Sequence, residues 1–224
     1  MASVVIFGVG EGARQAGSLL EQEGRHEVVG YTVDREFLDG DRFLERELCD
    51  FEEVVSRFPP DQVSFFIPLG FQKMNSLRAD KFTKVKNLGY ACVTYVDPSN
   101  RVAPETEIGE NCLILGNQSI DRDVTISDDV VIWAGCQLGD RCRIESHAWL
   151  SAHCCLNGDV TIGTRAFLAS NCTIANHVTV AERSLIGANA LITADTERGS
   201  VHAVQGTPAL GIDSERFMAA WPIA

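Results

Sequence analysis

Ile144-Glu-Ser-His-Ala-Trp-Leu150-Ser-Ala-His-Cys-Cys-Leu156-Asn-Gly-Asp-Val-Thr-Ile162-Gly-Thr-Arg-Ala-Phe-Leu168 carries a large aliphatic side chain at every sixth residue. The register extends back through Val102, Ile108, Ile114, Ile120, Ile126, Ile132 and Leu138, and forward through Ile174, Val180, Ile186 and Ile192. Four residues after each comes a short side chain, as at Cys112, Val124, Cys136, Cys142, Ala148, Cys154, Ala166, Cys172 and Ala190, with Gln118 as the exception. A helix repeats every 3.6 residues and cannot hold a period of six. A triangular coil of short parallel strands can: each side turns one aliphatic residue inward, and a small residue fits each tight corner. Three hexapeptides close a turn of about 18 residues, so the sixteen in register make a little over five turns. The expected fold of residues 99–208 is a left-handed parallel β-helix. Gly109, Gly139, Gly163 and Gly187 directly follow an aliphatic residue, where a φ accessible chiefly to glycine is the expected reason. The five cysteines at the short-residue slot are expected as buried reduced thiols acting as apolar fillers.

Working outward, residues 1–98 follow a different pattern. Ser3-Val-Val-Ile-Phe7 reads as a buried strand, Gly8-Val-Gly-Glu-Gly12 as a tight turn, Ala13 to Glu23 as a helix, and His26 to Val33 as a second strand ending at Asp34. Strand, glycine-rich turn, helix and strand form a βαβ unit of a parallel, Rossmann-like sheet. The spacing G-x-G-x-G is not the full dinucleotide fingerprint, but close backbone approach at a helix N-terminus suits a diphosphate. Further on, Phe51 to Arg57 reads as a helix, Val63 to Pro68 as a strand, Lys73 to Leu88 as a helix and Ala91 to Val96 as a strand. Asn75 and Arg78, after the Leu69-Gly70 turn, sit either where a ligand meets the strand ends or on a solvated helix face. Residues 209–224 are a tail in which Ser214 to Trp221 is expected to be helical.

The formal charge of −12 disfavours a polyanionic partner, so no nucleic acid is expected. No run of about 18 apolar residues offers a membrane span. The opening residues lack a basic, apolar secretory pattern, so a cytoplasmic protein is expected. Eight cysteines without a CxxC spacing, two of them adjacent at Cys154-Cys155, suggest neither a disulfide framework nor a zinc site.

The order of the two units, together with Phe7-Gly-Val-Gly-Glu-Gly-Ala-Arg14, Tyr31-Thr-Val-Asp34, Leu69-Gly-Phe-Gln-Lys-Met-Asn75 and Asn157-Gly-Asp-Val-Thr-Ile-Gly163, resembles a family of bacterial sugar acyltransferases. These are the hexapeptide-repeat enzymes of the sialic-acid O-acetyltransferase and bacillosamine or perosamine N-acetyltransferase type. The resemblance implies an acyltransferase that moves an acyl group, acetyl in the usual case, from acetyl-CoA to the amino or hydroxyl group of a nucleotide sugar, in a homotrimer. By position it implies that Gly8, Gly10 and Gly12 approach the diphosphate, with Gly70 and Asn75 nearby and Asp34 by the nucleoside. It also implies that the Gly158 amide stabilises the thioester oxygen and that Gly187 and Ala188 lie along the CoA arm.

One departure from that pattern bears on activity. The family's usual catalytic histidine falls at Asp140, followed by Arg141. Acyl transfer needs a proton taken from the nucleophile, and an imidazole suits that task better than a carboxylate of ordinary pKa. His153 and His147 are the candidate replacements, though one hexapeptide apart they lie on different faces; His177 reads as structural or exposed. The alternatives are a relative that binds nucleotide sugar or CoA without turnover, and a metal enzyme on the same kind of coil. The spacing of His147, His153 and His177 does not resemble the zinc arrangement of the γ-class carbonic anhydrases, and no metal is expected.

Overall fold

The computed structural model describes residues 1–220. Its N-terminal sheet contains β1 (Ala2–Phe7), β2 (His26–Val33), β3 (Arg42–Phe43), β4 (Arg46–Asp50) and β5 (Ser64–Phe66), in the order β3-β4-β2-β1-β5. All neighbours are parallel except β3, which pairs antiparallel with β4 at the edge. Successive residues of β1 enter opposite clusters: Val4 and Ile6 face α1 (Glu11–Gln22), while Val5 and Phe7 pack with Val54 of α2 (Val54–Arg57) and with Phe82 and Val85 of α3 (Ser76–Asn87). A strand apolar on both faces is what a covered parallel sheet requires.

The sequence pattern misses the β3–β4 hairpin because its turn residues, Leu44 and Glu45, both have left-handed φ values (47° and 61°) without being Asn or Gly. The expected strand Ala91 to Val96 is divided between the two units. Cys92 bridges Phe65 beside β5, whereas Tyr95–Val96 pairs with Leu113–Ile114 as a rung of the coil. The expected helix Lys73 to Leu88 begins only at Ser76, since Lys73, Met74 and Asn75 are all left-handed (52°, 52° and 61°).

From Tyr95 onward every β-strand is two residues long and pairs in parallel with the strand 18 residues away, or 16 away for Val201–His202, giving three sheets of six, five and seven strands. All sixteen aliphatic positions occupy such strands, and those from Ile114 to Ile186 are at most 1% exposed. Burying each of these side chains contributes about 1.5–3 kcal/mol before conformational entropy is subtracted. The rung Val201–His202, beyond the last repeat, caps the seven-stranded sheet against Leu185–Ile186. Gln118 fits a short-residue slot because its polar atoms are all paired: Nε2 donates to the carbonyls of Leu115 (2.7 Å) and Trp133 (2.9 Å), and Oε1 accepts from the Cys136 amide (2.7 Å).

The structure corrects the reason given for the corner glycines. One residue in every hexapeptide from Asn111 to Asn189 has a left-handed φ between 55° and 78°, and it is Asn, Asp, Arg, His or, once, Gly135. Gly109, Gly139, Gly163 and Gly187 lie two residues earlier, outside that conformation. They are glycine because the next coil passes too close for a side chain: a Cβ on Gly139 would stand 2.9 Å from the Asn157 carbonyl carbon, and one on Gly163 would stand 2.6 Å from the Glu182 nitrogen.

The two units share an apolar cluster in which Tyr95, Leu113, Val131 and Trp149 of the coil meet Val4, Ile6, Ala13 and Ala16. Beside it is a buried polar lock. Arg78, fully buried, binds Asp129 Oδ1 (3.1 Å) and donates to the carbonyls of Asp129 (3.1 Å) and His147 (2.9 Å). In the tail, Ser214–Ala220 is helical, and Trp221, the last residue of the expected helix, lies outside the described residues.

Candidate active site

Two cavities hold five of the twelve site residues singled out from sequence: Gly8, Gly10 and Asp34 in one, Asp140 and Gly158 in the other. The first, of about 660 Å³, opens at the ends of β1 and β2. It is lined by Gly8, Gly10 and Asp34 together with Phe37, Lys73, Leu77 and Lys81. Gly8 has a φ of 118°, closed to other residues, which bends the chain from β1 toward α1. Asp34 pairs with Lys81 at 2.6 Å, and the same ammonium lies over the Phe7 and Phe51 rings at 4.3 and 4.2 Å. Lys73, delivered by the left-handed turn, has no carboxylate partner among the described residues. Apolar walls, the two ammonium groups of Lys73 and Lys81, and the carboxylates of Asp34 and Glu36 suit a nucleoside carrying phosphate.

Gly12, Gly70 and Asn75 do not line this cavity. A Cβ on Gly12 would stand 2.7 Å from the Pro68 carbonyl oxygen, so that glycine lets α1 approach β5's end. The Gly70 carbonyl accepts from Arg78 Nη1 at 3.4 Å. Asn75 is fully buried between the units, with Nδ2 donating to the carbonyls of Arg165 (3.2 Å) and Ala166 (3.3 Å) and Oδ1 accepting from Arg78 (3.3 Å). Neither of the two expected surroundings for Asn75 and Arg78 is found: both residues join the halves of the chain.

The second cavity, of about 440 Å³, runs along one corner of the coil. It brings Asp140 and Gly158 together with Gln137, Arg141, Asp159, Asn176 and His177. Along this corner Arg141 binds Asp159 through two hydrogen bonds of 2.7 Å, and His177 Nδ1 lies 3.4 Å from Asp159 Oδ2, the oxygen that also accepts from Arg141 Nη2. The Arg141 hydrogen bonds hold the Asp159 carboxyl below the usual carboxylate range. Asp140 Oδ1 accepts from the Arg122 amide (3.1 Å), one coil back. The Gly158 amide donates to Asn176 Oδ1 (3.0 Å), one coil on. The equivalent amide of Asp140 would meet the side chain of residue 158; that residue is glycine, so the N–H makes no hydrogen bond among the described residues, and Asp140 lines the cleft. Backbone donors, carboxylates and an imidazole can polarise a carbonyl and accept a proton.

His147, His153 and His177 stand at the coil's three different corners, all at left-handed positions (66°, 60° and 63°). His147 is held at the seam between the units, where Nδ1 meets Asp129 Oδ2 at 2.7 Å and the ring lies edge-on to Phe82 at 5.9 Å. His153 is exposed, its ring seated over Gly135, where any Cβ would collide with Nδ1 at 2.4 Å. Only His177 shares the cleft of Asp140 and Gly158. The signal that could have found it is arithmetic: residues 141, 159 and 177 are spaced by one turn of 18. Gly187 donates its amide to the His202 carbonyl (2.7 Å), and Ala188 beside it is exposed.

No family profile matches the sequence, and comparison with curated proteins finds no match. Solved structures do match. The acetyltransferase domain of PglB from Neisseria gonorrhoeae FA1090 superposes with a TM-score of 0.78 at 16% identity, over 91% of this chain and 97% of that one. PerB from Caulobacter crescentus, solved with CoA and GDP-perosamine, gives 0.78 at 23% identity over 91% and 95%. The gonococcal domain with acetyl coenzyme A gives 0.78 at 17% identity over 90% and 96%. The chain therefore has the two-part fold of these acetyltransferases along nearly its full length. No helix among the described residues is long and apolar enough to cross a membrane.

Proposed function

We propose that the protein is an acyltransferase that moves an acetyl group from acetyl-CoA to an amino or hydroxyl group of a nucleotide-linked sugar. The observation that carries this reading is the pairing, in one chain, of a phosphate-compatible cavity at the sheet ends with a coil cleft holding backbone donors and a proton acceptor. The fold it shares with PerB and the PglB domain supports it. On this reading the N-terminal unit is Rossmann-like and holds the nucleotide, with Asp34 by the nucleoside and Gly8, Gly10 and Lys73 by the diphosphate. The coil is left-handed, and a homotrimer sets a neighbouring copy against the open side of the cleft. Gly187 and Ala188 lie along the CoA arm. Eight cysteines without a disulfide fit work in the reducing cytoplasm.

The chemistry follows from the cleft. The sugar's nucleophile attacks the thioester carbonyl carbon, and the charge that develops on its oxygen is met by the amide of Asp140, joined by that of Gly158 when the exposed Asn176 side chain turns away. His177, whose Nδ1 faces Asp159 at 3.4 Å, takes the proton from the nucleophile; collapse of the intermediate then expels the CoA thiolate, which receives it. Asp140 is the second candidate for the acceptor, since its carboxylate lines the same cleft. His147 and His153 face other corners and are assigned no part within a single chain.

A mass-spectrometric transfer assay tests the proposal, with acetyl-CoA and UDP-, GDP- and dTDP-linked amino sugars. The native protein is expected to add one acetyl mass to one of them. His177→Gln is expected to lower kcat by about 10²–10⁴, and Asp140→Asn by less. Transfer to none of the sugars, together with no calorimetric binding of CoA, overturns the assignment. A larger loss in Asp140→Asn than in His177→Gln moves the base to Asp140.

A further inference from the structure

A third cavity, of about 600 Å³, lies between α1 and the β3–β4 hairpin. It shares no lining residue with either cavity above. Its walls carry three arginines, Arg14, Arg42 and Arg46, with Tyr31 on β2 and with Glu21 and Glu45. Arg14 lies over the Phe43 ring at 4.6 Å, and Arg42 donates to the Glu45 carbonyl; among the described residues neither guanidinium has a carboxylate partner. Arg46 alone is paired, with Glu21 at 3.3 Å. In a chain of 31 acidic and 19 basic residues, two guanidiniums lining one cavity without a carboxylate partner give it a local positive charge that suits an anion.

Two local rules of folding are broken around the same cavity. Gly17 sits inside a twelve-residue helix, where glycine is unfavourable, and a Cβ there would stand 2.8 Å from Tyr31 Oη. The glycine therefore makes room for the phenol, whose hydroxyl makes no hydrogen bond to the described residues. The hairpin turn holds Leu44 and Glu45 in left-handed conformations that Asn-Gly would adopt more easily. Rule-breaking of this kind concentrates at functional sites.

We infer that this cavity is a binding site for a sugar phosphate, with Arg14 and Arg42 as the charge partners of the phosphate monoester, Arg46 beside them and the Tyr31 hydroxyl donating. The planar guanidinium fork matches phosphate oxygens two at a time. Burial, with Glu21 adding to it, raises the Tyr31 pKa, so the phenol remains a donor at neutral pH. Glu21 and Glu45 can accept from sugar hydroxyls, which favours a phosphorylated sugar over bare phosphate. The volume is that of an ordinary small-molecule site.

Calorimetry and thermal-shift measurements on the full chain test this, with glucose 1-phosphate, inorganic phosphate and glucose as probes. Glucose 1-phosphate is expected to bind saturably, phosphate more weakly and glucose not at all. Arg14→Gln with Arg42→Gln is expected to weaken binding at least about tenfold, and Tyr31→Phe by roughly fivefold. Lys73→Gln, in the nucleotide cavity, is expected to leave it unchanged. Absence of saturable binding in both measurements overturns the inference. So does binding that survives the arginine pair and falls with Lys73→Gln, since that places the phosphate in the other cavity. Acetyl transfer is read separately, so failure of one proposal does not imply failure of the other.

Discussion

Replacing Arg78 with Met removes a guanidinium that is completely buried between the two halves of the chain. Methionine keeps the stem but deletes the contacts to Asp129 Oδ1 (3.1 Å) and to the carbonyls of Asp129 and His147 (3.1 and 2.9 Å). The Asp129 carboxylate, itself fully buried, is left with Asn111 Nδ2 (2.7 Å) and His147 Nδ1 (2.7 Å). Breaking a buried pair from one side costs about 3–5 kcal/mol. The remaining partners of Asp129 place this case toward the lower end, and the orphaned carbonyls pull it back up. For a chain of this length that corresponds to a Tm lowered by roughly 6–20 °C. Urea denaturation followed by tryptophan fluorescence reads it directly, because the Arg78 guanidinium lies 5.6 Å from the Trp149 ring centre. Arg78→Met with Asp129→Asn removes the stranded charge and is expected to recover at least about 1 kcal/mol of the loss. A loss below about 1 kcal/mol in Arg78→Met, or no recovery in the double variant, would refute the claim that this ion pair locks the two units.

Three further predictions concern the buried thiols, a corner glycine and the Arg141–Asp159 pair. Burial pushes the thiols of Cys92 and Cys112 up to about 12 and that of Cys142 to about 11, so native protein treated with iodoacetamide at neutral pH is expected to react at the half-buried Cys155 at most, and at eight sites once unfolded. Labelling of Cys112 in the native state, detected by peptide mass, would contradict this. Gly139→Ala forces a Cβ against the backbone of the next coil beside Asp140 and is expected to cost about 1–3 kcal/mol and to depress acetyl transfer, as urea midpoints and the transfer assay would show. Arg141 holds the Asp159 carboxyl below its usual range, so their bond is fully present above the unfolded-state pKa of about 3.9 and is lost as pH falls through the lower folded value. Arg141→Met is expected to flatten that part of a Tm-against-pH curve, and an unchanged acid limb would count against the pair.

The coil is legible in the order of residues alone. Its period of six is local and self-consistent, and every inward position from Val102 to Ile192 lands in a strand because each rung repeats the same geometric demand. The βαβ start was legible for the same reason: the strand runs, the glycine turn and the helix are contiguous. The β3–β4 hairpin was not, because its turn is held by Leu44 and Glu45 in conformations their chemistry does not advertise. The fate of single polar residues was decided only by tertiary structure. Asn75 and Arg78 look like solvated or ligand-facing helix residues until the coil closes over them, and Asp129 reveals its role only when α3 docks. His177 gains its place beside Asp140 because residues spaced by 18 stack one above another, while His147 and His153, nearer in sequence, turn to other corners. Periodicity specifies which way a side chain points along the chain; which distant group it meets depends on how the turns stack and how the two units dock.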